Sequence, residues 1–314
     1  MHFILGLLGL PVELLFMIVH WCSVPTLARL RATCHYFDLI IAKELPFRRR
    51  LLLSRFIRDV PGFLRELSHT GSIVTGSAAL WVNGEPEYFT PHDLDILCAI
   101  HMSFHVVSYL FYVEGYFILR MFSSNVDGNR RGGIRSVVRM FNGEKTIDVM
   151  QSQTPTSLYP VLFFWSSIPM SFFDEHSMYI AYPRLLETYR AILNPARIVT
   201  IPLPDLLIKY QKRGFVIRLS EASWRSDKHK RSRICHLDQN PYCAQTKRAV
   251  GDRWGLQTRL GPVQERLGLP VFQGPIANWT VVWQRGGHPC GALCAAYEGF
   301  AVPTIYVAPL VAWA

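Results

Sequence analysis

The N-terminal part of the chain carries apolar side chains at the spacing of an amphipathic helix. Leu14, Leu15 and Ile18 mark one face, and Ser23 can cap a second helix with its own apolar stripe. The pattern predicts two short helices over residues 10–41. Helices this short cannot bury their apolar faces alone, so they must pack on a third element or on a partner.

Residues 46–67 continue with a Leu, Phe and Ile stripe set among arginines. This pattern predicts a basic amphipathic helix that joins the first region to the rest of the chain and is broken at Pro61 and Gly62. We expect its arginines, including the three at 48–50, to lie in solvent. The helices before it and the domain after it are expected to have separate cores.

After residue 70 the period changes from that of a helix to that of a strand. Residues 73–75 predict a short apolar strand, and Gly76 and Ser77 turn the chain into a helical run over 78–81. A strand that feeds a helix in this way leaves backbone N–H groups at the helix N-terminus. Those groups and the helix dipole favour a bound phosphate.

Residues 93–96, Asp-Leu-Asp-Ile, alternate between polar and apolar side chains. On the strand that this pattern predicts, Asp93 and Asp95 face the same side, about 7 Å apart. Two such carboxylates can bracket a pair of divalent ions, which lie about 3.5–4 Å apart in two-metal sites. The 15 residues at 78–92 are polar at their centre and predict a loop inserted at the mouth of this site.

A hairpin downstream supplies a third carboxylate. Asn142 and Gly143 form a strong turn signal between two strand-like segments. On the returning strand, Ile147 and Val149 are predicted to face the core, whereas Asp148 points out of it and needs a partner, a metal ion or solvent. If the three acids converge without a metal, their repulsion should raise the pKa of at least one of them.

This ordered set of Gly-Ser, Asp-x-Asp and an isolated Asp in strand contexts resembles the polymerase-β-like nucleotidyltransferase superfamily. The resemblance implies that the Gly-Ser pair holds a nucleotide triphosphate and that three catalytic acids bind two magnesium ions. By residue, it falls on Gly76, Ser77, Asp93, Asp95 and Asp148. The spacer is longer than the family's usual one, so a retained fold without turnover is one alternative. In another, the acids are turn or surface residues in solvent.

A helix is predicted over residues 204–213. Lys209 and Lys212 lie one turn apart on it and could reach a triphosphate or an RNA backbone; the alternative is that they only compensate the helix dipole. Residues 209–259 hold 13 Lys or Arg against 4 Asp or Glu, which accounts for nearly all of the formal net charge of +10. Such a block either suits a polyanion such as RNA or is a solvated face.

The N-terminal motif L-P-x-E-L-L-x-x-I, followed by L-x-x-L-R-x-x-C-x-x-F, closely resembles an F-box. F-boxes are three-helix modules that dock onto the Skp adaptor of cullin–RING ubiquitin ligases; the alternative is an ordinary helical hairpin. The resemblance implies docking through Leu10, Pro11, Glu13, Leu14, Leu15 and Ile18. Trp21 and Cys22 stand where a leucine is usual. An F-box before a nucleotidyltransferase-like domain resembles the lineage-expanded protein families of mushroom-forming fungi.

Further apolar patterns complete an α+β fold, a small mixed sheet with flanking helices. They predict a helix over 102–114, a strand over 115–119, a helix and a buried crossing segment over 157–182, a helix over 183–194 and a strand over 280–283. The predicted divisions are an F-box-like module at 8–45, a joining helix at 46–67, a nucleotidyltransferase-like core at 68–200 and a basic extension at 201–314.

Seven cysteines in a chain of 314 residues do not make a disulfide framework, which favours reduced thiols and a cytoplasmic or nuclear protein. One set of residues has a metal-like composition: Cys235, His236, Cys243, His288, Cys290 and Cys294. Only the last two have the spacing of a zinc pair, so a structural zinc ion is not expected. No run of about 18 apolar residues predicts a membrane span.

Two functions follow from these patterns. The first is an F-box-type adaptor that recruits a cullin–RING ubiquitin ligase, with a nucleotidyltransferase-like module that binds an unidentified client or a nucleotide ligand. The alternative is an active magnesium-dependent nucleotidyltransferase, which moves a nucleotidyl group from a triphosphate to a hydroxyl of RNA, a protein or a small molecule. An enzyme must hold two metal ions on its acids, whereas an adaptor need not.

Overall fold

A computed structural model describes residues 6–84, 89–123, 132–194, 203–224, 240–261, 274–287, 290, 294 and 304–310. They form an N-terminal group of helices followed by a mixed sheet with flanking helices, which confirms the predicted α+β class. The helices are α1 (Val12–His20), α2 (Val24–Arg31), α3 (His35–Leu53), α4 (Val60–Thr70), α5 (Gly76–Asn83), α6 (Ser103–Tyr112), α7 (Pro183–Glu187) and α8 (Leu203–Lys212). The strands are β1 (Ile73–Thr75), β2 (Asp93–Cys98), β3 (Phe117–Ser123), β4 (Ile134–Phe141), β5 (Thr146–Ser152), β6 (Ser171–Phe173), β7 (Ser177–Ile180), β8 (Arg190–Ile192), β9 (Val216–Arg218), β10 (Arg248–Ala249), β11 (Leu256–Arg259), β12 (Trp279–Gln284) and β13 (Thr304–Pro309).

The main sheet has eight strands in the order β11-β7-β6-β1-β2-β5-β4-β3. β2 and β5 run parallel, and the other neighbouring pairs are antiparallel. Side chains alternate between the two faces of β2, so Ile96 belongs to one buried apolar cluster and Leu97 to the other. The centre of the sheet is therefore covered on both faces.

Two smaller sheets complete the described fold. β10, β12 and β13 form a three-stranded antiparallel sheet, and β8 pairs with β9 in parallel. Val281 and Trp283 of β12 join the apolar cluster that also contains Leu97, so the three-stranded sheet packs onto the rest of the fold. Within the described ranges, every helix is too short or too polar to cross a membrane.

The N-terminal helices and the main sheet share one core. Leu15 and Val19 of α1 and Phe37 of α3 are buried in the same apolar cluster as Trp81 of α5 and Ile96 of β2. The expectation of separate cores is therefore wrong. The cores merge because α3 runs without interruption across the boundary predicted at residue 45. This one helix contacts both α1 and α5.

The arginines of α3 also differ from expectation, because Arg48 and Arg49 are buried rather than solvated. Arg48 Nε donates to Glu44 Oε1 at 2.7 Å, and its Nη2 donates to the carbonyl oxygens of Val19 and His20 at 2.6 and 2.8 Å. These carbonyls end α1 and lack partners within the helix. The guanidinium thus fixes the C-terminus of α1 on α3.

The predicted turn at Asn142 is confirmed. β4 ends at Phe141 and β5 begins at Thr146, and Asn142 Oδ1 accepts hydrogen bonds from the backbone N–H groups of Glu144 and Lys145 at 3.1 and 2.8 Å. The predicted elements at α6, α8 and β12 are confirmed as well. The connection at this turn holds four residues, which sets the register of the hairpin.

Two predicted helices are wrong. Over 183–194, α7 ends at Glu187 and β8 follows, because Tyr189 takes a left-handed backbone conformation with φ of 49°. Over 157–182, the chain makes only a short 3-10 helix and then the hairpin of β6 and β7. Asp174 closes that hairpin, since its Oδ1 accepts the backbone N–H of Ser177 at 2.6 Å.

Pro61 and Gly62 do not break a helix, in contrast to the prediction. Both lie in the first turn of α4, where a proline fits because its missing N–H has no intrahelical partner. Asp59 caps this helix, and its Oδ1 accepts the backbone N–H of Gly62 at 3.0 Å. The break predicted from the Pro-Gly pair is instead the short connection between α3 and α4.

Candidate active site

The three predicted acids lie on two neighbouring strands at the centre of the sheet. β2 and β5 are parallel, and their register pairs Asp95 directly with Asp148. Paired residues on adjacent strands lie about 4.8 Å apart and point to the same face. Asp93, two residues before Asp95, shares that face as well. The strands thus bring all three carboxylates to one side of the sheet.

The backbone of Gly76 packs directly against the side chain of Asp95. β1 pairs Thr75 with Asp95, and the next residue, Gly76, has a φ of 67°. A Cβ atom at this position would lie 2.2 Å from Asp95 Oδ2, which is far inside contact distance. Only glycine combines this left-handed backbone with so close an approach. The Gly-Ser pair therefore shapes the acid site as well as beginning α5.

The N-terminus of α5 has no side-chain cap from the preceding residue. The Thr75 hydroxyl instead donates to the carbonyl oxygen of Ser171 at 2.8 Å. Ser77, in the first turn of the helix, is buried. α5 continues to Asn83, so the first residues of the spacer predicted as an inserted loop are helical, and residues 85–88 lie outside the described part of the chain.

Asp148 has a partner that the sequence did not predict. Arg139 of β4 lies opposite it, donating from Nε to Oδ1 at 2.8 Å and from Nη2 to Oδ2 at 2.6 Å. Both oxygens of Asp148 are thereby engaged in a bidentate ion pair, the strongest geometry for these groups. Asp148 is 8% exposed, whereas the Arg139 side chain is 43% exposed and borders solvent.

Asp95 is half-buried, and both other acids of the cluster act on its charge. Burial together with the like charges of Asp93 and Asp148 raises the pKa of Asp95 to about 8, and the positive charges of Lys209 and Arg139 oppose this shift. A raised pKa in one acid of the cluster is the result expected for convergent carboxylates without a metal ion.

The two predicted lysines lie on α8. Lys209 is close enough to the acids for its charge to act on Asp95, while Lys212 is exposed on the last turn of the helix. Arg213 follows, and its guanidinium lies 3.7 Å from the centre of the Phe89 ring. Sequence reasoning did not single out this stacked pair. It borders a cavity of about 420 Å³ between the α1–α2 junction, α5 and α7.

The predicted docking residues divide between surface and core. Pro11, Glu13, Leu14 and Ile18 are exposed, and Leu10 is half-buried. Leu15 is buried in the core of the chain, so its assignment to the docking face is wrong. The reason is the helical period: on α1, Leu15 and Val19 face α3 and the sheet, which turns Leu14 and Ile18 outward.

The metal-like set of the C-terminal region is brought together only in part. Cys243, Cys290 and Cys294 are the only described His, Cys, Asp or Glu residues of which three place ligand atoms within 4.8 Å of one another. Asp93, Asp95 and Asp148 are not among the groups that meet this criterion. The other predicted members, Cys235, His236 and His288, lie outside the described residues.

No protein-family model matches the chain, and a search of curated proteins found no relative.

Asp95→Asn should stabilise the metal-free protein at neutral and alkaline pH. A carboxyl whose pKa is raised from 3.8 to about 8 on folding favours the folded state fully only at low pH, and this contribution is lost as the pH rises towards 8. The amide removes one repelling charge. We expect a gain of about 1 kcal/mol at pH 8 and none at pH 4 in urea unfolding.

Glu144→Gln is the matched control, because Glu144 is an exposed carboxylate in the turn between β4 and β5. It should leave the pH dependence of the free energy of unfolding unchanged. If Asp95→Asn left it unchanged too, Asp95 would not be repelled by its neighbours.

Proposed function

We propose that the chain is an F-box-type adaptor, which docks onto a Skp-type adaptor of a cullin–RING ubiquitin ligase through α1 and α3. The observation that carries this proposal is an apolar surface that the fold leaves open. Val12, Leu14 and Ile18 of α1 are exposed although the same helix buries Leu15 and Val19. A helix that is apolar on its outer face as well indicates a partner surface.

A groove between α1 and α3 extends this surface. It has a volume of about 540 Å³, and it is lined by Phe16, Met17, His20, Trp21, Lys43, Glu44, Phe47 and Arg50. Met17 is 62%, Trp21 48% and Phe47 50% exposed, which is high for side chains of this size. Large apolar and aromatic anchors of this kind dominate the energetics of protein interfaces. The groove therefore supports docking through helices.

Leu14→Asp should abolish co-purification of the Skp-type adaptor. A carboxylate in the middle of the apolar face must lose its water on docking, which costs at least about 2 kcal/mol, or about 30-fold in Kd. Leu14 is 44% exposed, so the melting temperature of the chain should barely change. Titration calorimetry with the recombinant adaptor, alongside thermal unfolding, measures both quantities.

Phe104→Asp is the matched control, since Phe104 is a still more exposed apolar residue on α6, away from the groove. This variant should bind the adaptor as the wild type does. Full binding by Leu14→Asp would mean that α1 and α2 are an ordinary helical hairpin.

A second function, magnesium-dependent nucleotidyl transfer, is favoured by the pairing of Asp95 with Asp148. In it, two Mg²⁺ ions bound by the carboxylates would supply charge neutralisation at the triphosphate and activation of an acceptor hydroxyl. The acids fit such ions chemically, because oxygen ligands are those that Mg²⁺ prefers, and because the like charges of Asp93 and Asp148 add to burial in raising the pKa of Asp95.

The other residues of the site have defined roles in this second function. The backbone N–H groups at Gly76 and Ser77 would hold the phosphates, and Lys209 would add a positive charge beside them. Arg139 must release Asp148 before that carboxylate can bind a metal ion. The basic segment at 209–259 suits RNA as the acceptor. Both functions place the protein in the cytoplasm or nucleus.

A further inference from the structure

Three thiols that are far apart in sequence meet beside the three-stranded sheet. Cys243 lies in the turn that precedes β10, and Cys290 and Cys294 follow β12. All three are at least 95% buried. Their sulfur atoms lie within 4.8 Å of one another, and the Sγ atoms of Cys243 and Cys294 are 3.6 Å apart.

A Zn–S bond of about 2.3 Å and a tetrahedral angle place neighbouring sulfur atoms about 3.8 Å apart. The separation of Cys243 and Cys294 matches this value, and the three thiols must draw together by up to about 1 Å to share one ion. A disulfide would require about 2.05 Å between the two sulfur atoms, which is much shorter than the distance between Cys243 and Cys294. The three residues between Cys290 and Cys294 also fall within the usual spacing of a zinc pair.

A buried arginine supplies the positive charge that such a site needs. Three thiolates and one Zn²⁺ carry a net negative charge, which is costly to bury alone. Arg285 is buried nearby, and its Nη1 and Nη2 donate to the carbonyl oxygens of Leu193 and Tyr242, each at 3.2 Å. Tyr242 directly precedes Cys243, so the guanidinium lies beside the first of the three thiols.

The Nε of Arg285 is buried, and no described group accepts its proton. A donor in this position can hydrogen-bond to a thiolate sulfur, as the groups around zinc ligands commonly do. The cluster therefore combines three soft ligands in close proximity, exclusion of water and a neighbouring cation.

We propose that Cys243, Cys290 and Cys294 supply three of the four ligands of a structural Zn²⁺ ion. A structural zinc ion is not expected from sequence, because only Cys290 and Cys294 have the spacing of a zinc pair; the pairing of β10 with β12 brings Cys243 to them. The ion ties the turn before β10 to the segment after β12. It thereby stabilises the three-stranded sheet, and it plays no part in the acid site.

The full-length chain, purified without chelator, should contain about one zinc ion by elemental analysis. Replacement by Co²⁺ should give the intense charge-transfer absorption of thiolate-bound cobalt and the visible bands of a tetrahedral site. Cys243→Ser and Cys294→Ser should each lose the metal. Cys34→Ser should retain it, since Cys34 lies at the N-terminus of α3, where serine is a favoured cap.

Because the serine variants can fail to fold, the wild type supplies the second measurement. Zinc should protect the three thiols from alkylation, and a chelator should expose them and lower the melting temperature. The proposal is overturned if the wild type holds no zinc and gives no thiolate–cobalt band. It is equally overturned if mass spectrometry finds Cys243 and Cys294 joined as a disulfide, or if alkylation proceeds alike with and without zinc.

Discussion

Asp95→Asn should remove divalent metal binding at the acid site and, with it, nucleotidyl transfer. Asp95 pairs with Asp148 and lies two residues from Asp93, so the like charges of both act on it and a bound ion relieves that repulsion. In the wild type, Mn²⁺ should raise the melting temperature by mass action, and Asp95→Asn should erase that rise. Transfer from a labelled triphosphate to RNA should fall at least about a thousandfold, or about 4 kcal/mol in the barrier.

Arg139→Gln tests whether the ion pair with Asp148 competes with metal binding at the acid site. It frees both oxygens of Asp148, so the affinity for Mn²⁺ should rise about fivefold, the equivalent of the roughly 1 kcal/mol of a half-exposed ion pair. Arg120→Gln, on the exposed strand β3, should leave the affinity unchanged. Should neither Mn²⁺ nor a triphosphate shift the melting temperature of the wild type, the acids have no metal-dependent role, and the adaptor function alone remains.

Arg48→Ala should lower the free energy of unfolding by about 3–5 kcal/mol. The substitution leaves the buried Glu44 carboxylate with only His20, at 2.9 Å, as a partner, and it removes the Arg48 donors from the carbonyl oxygens of Val19 and His20. Thermal and urea unfolding of the full chain measure the loss. Arg50→Ala is the matched control, because Arg50 is exposed on the same helix and should change stability by no more than about 0.5 kcal/mol.

The double variant Glu44→Gln, Arg48→Met tests the cause of that loss. It removes both charges and keeps an apolar stem of similar length, so it should recover a large part of the stability lost in Arg48→Ala. Equal losses in the single and double variants would mean that packing dominates, and not the loss of the Arg48 charge beside the buried Glu44 carboxylate.

The candidate site could be predicted from sequence where local pattern decides the structure. The alternation of Asp93, Leu94, Asp95 and Ile96 gives a strand with both acids on one face, and the Asn142 turn gives the strand that carries Asp148. These are short-range signals, which require no knowledge of what packs against the strand.

The partner of Asp148 could not be predicted in the same way, because it depends on the length of a turn. With a two-residue loop at Asn142 and Gly143, Asp148 would lie opposite Val137. The four-residue connection pairs it with Arg139 instead. The Asn-Gly signal is compatible with both the two-residue and the four-residue loop. Only the observed register shows that Asp148 is paired with Arg139.

Long-range contacts explain the remaining differences. Arg48 and Arg49 look like solvent-facing residues in a basic stripe, and only the carbonyl groups at the end of α1 and at the β6–β7 hairpin make them buried. The thiols of Cys243 and Cys290 likewise meet through strand pairing between β10 and β12. Such contacts lie beyond any local period of the sequence.

The single core shared by the N-terminal helices and the sheet has a mechanical consequence. Arg29 pairs with Glu187 at 2.6 Å, and Arg31 donates to the carbonyl oxygens of Arg259 and Gly261, each at 2.8 Å, so α2 is fastened to the sheet as well. The helices that carry the docking face are therefore packed rigidly against the sheet. Residues 8–45 would lose part of their core if they were moved alone into another protein. Whatever binds the sheet would be held at a fixed distance and angle from whatever binds α1.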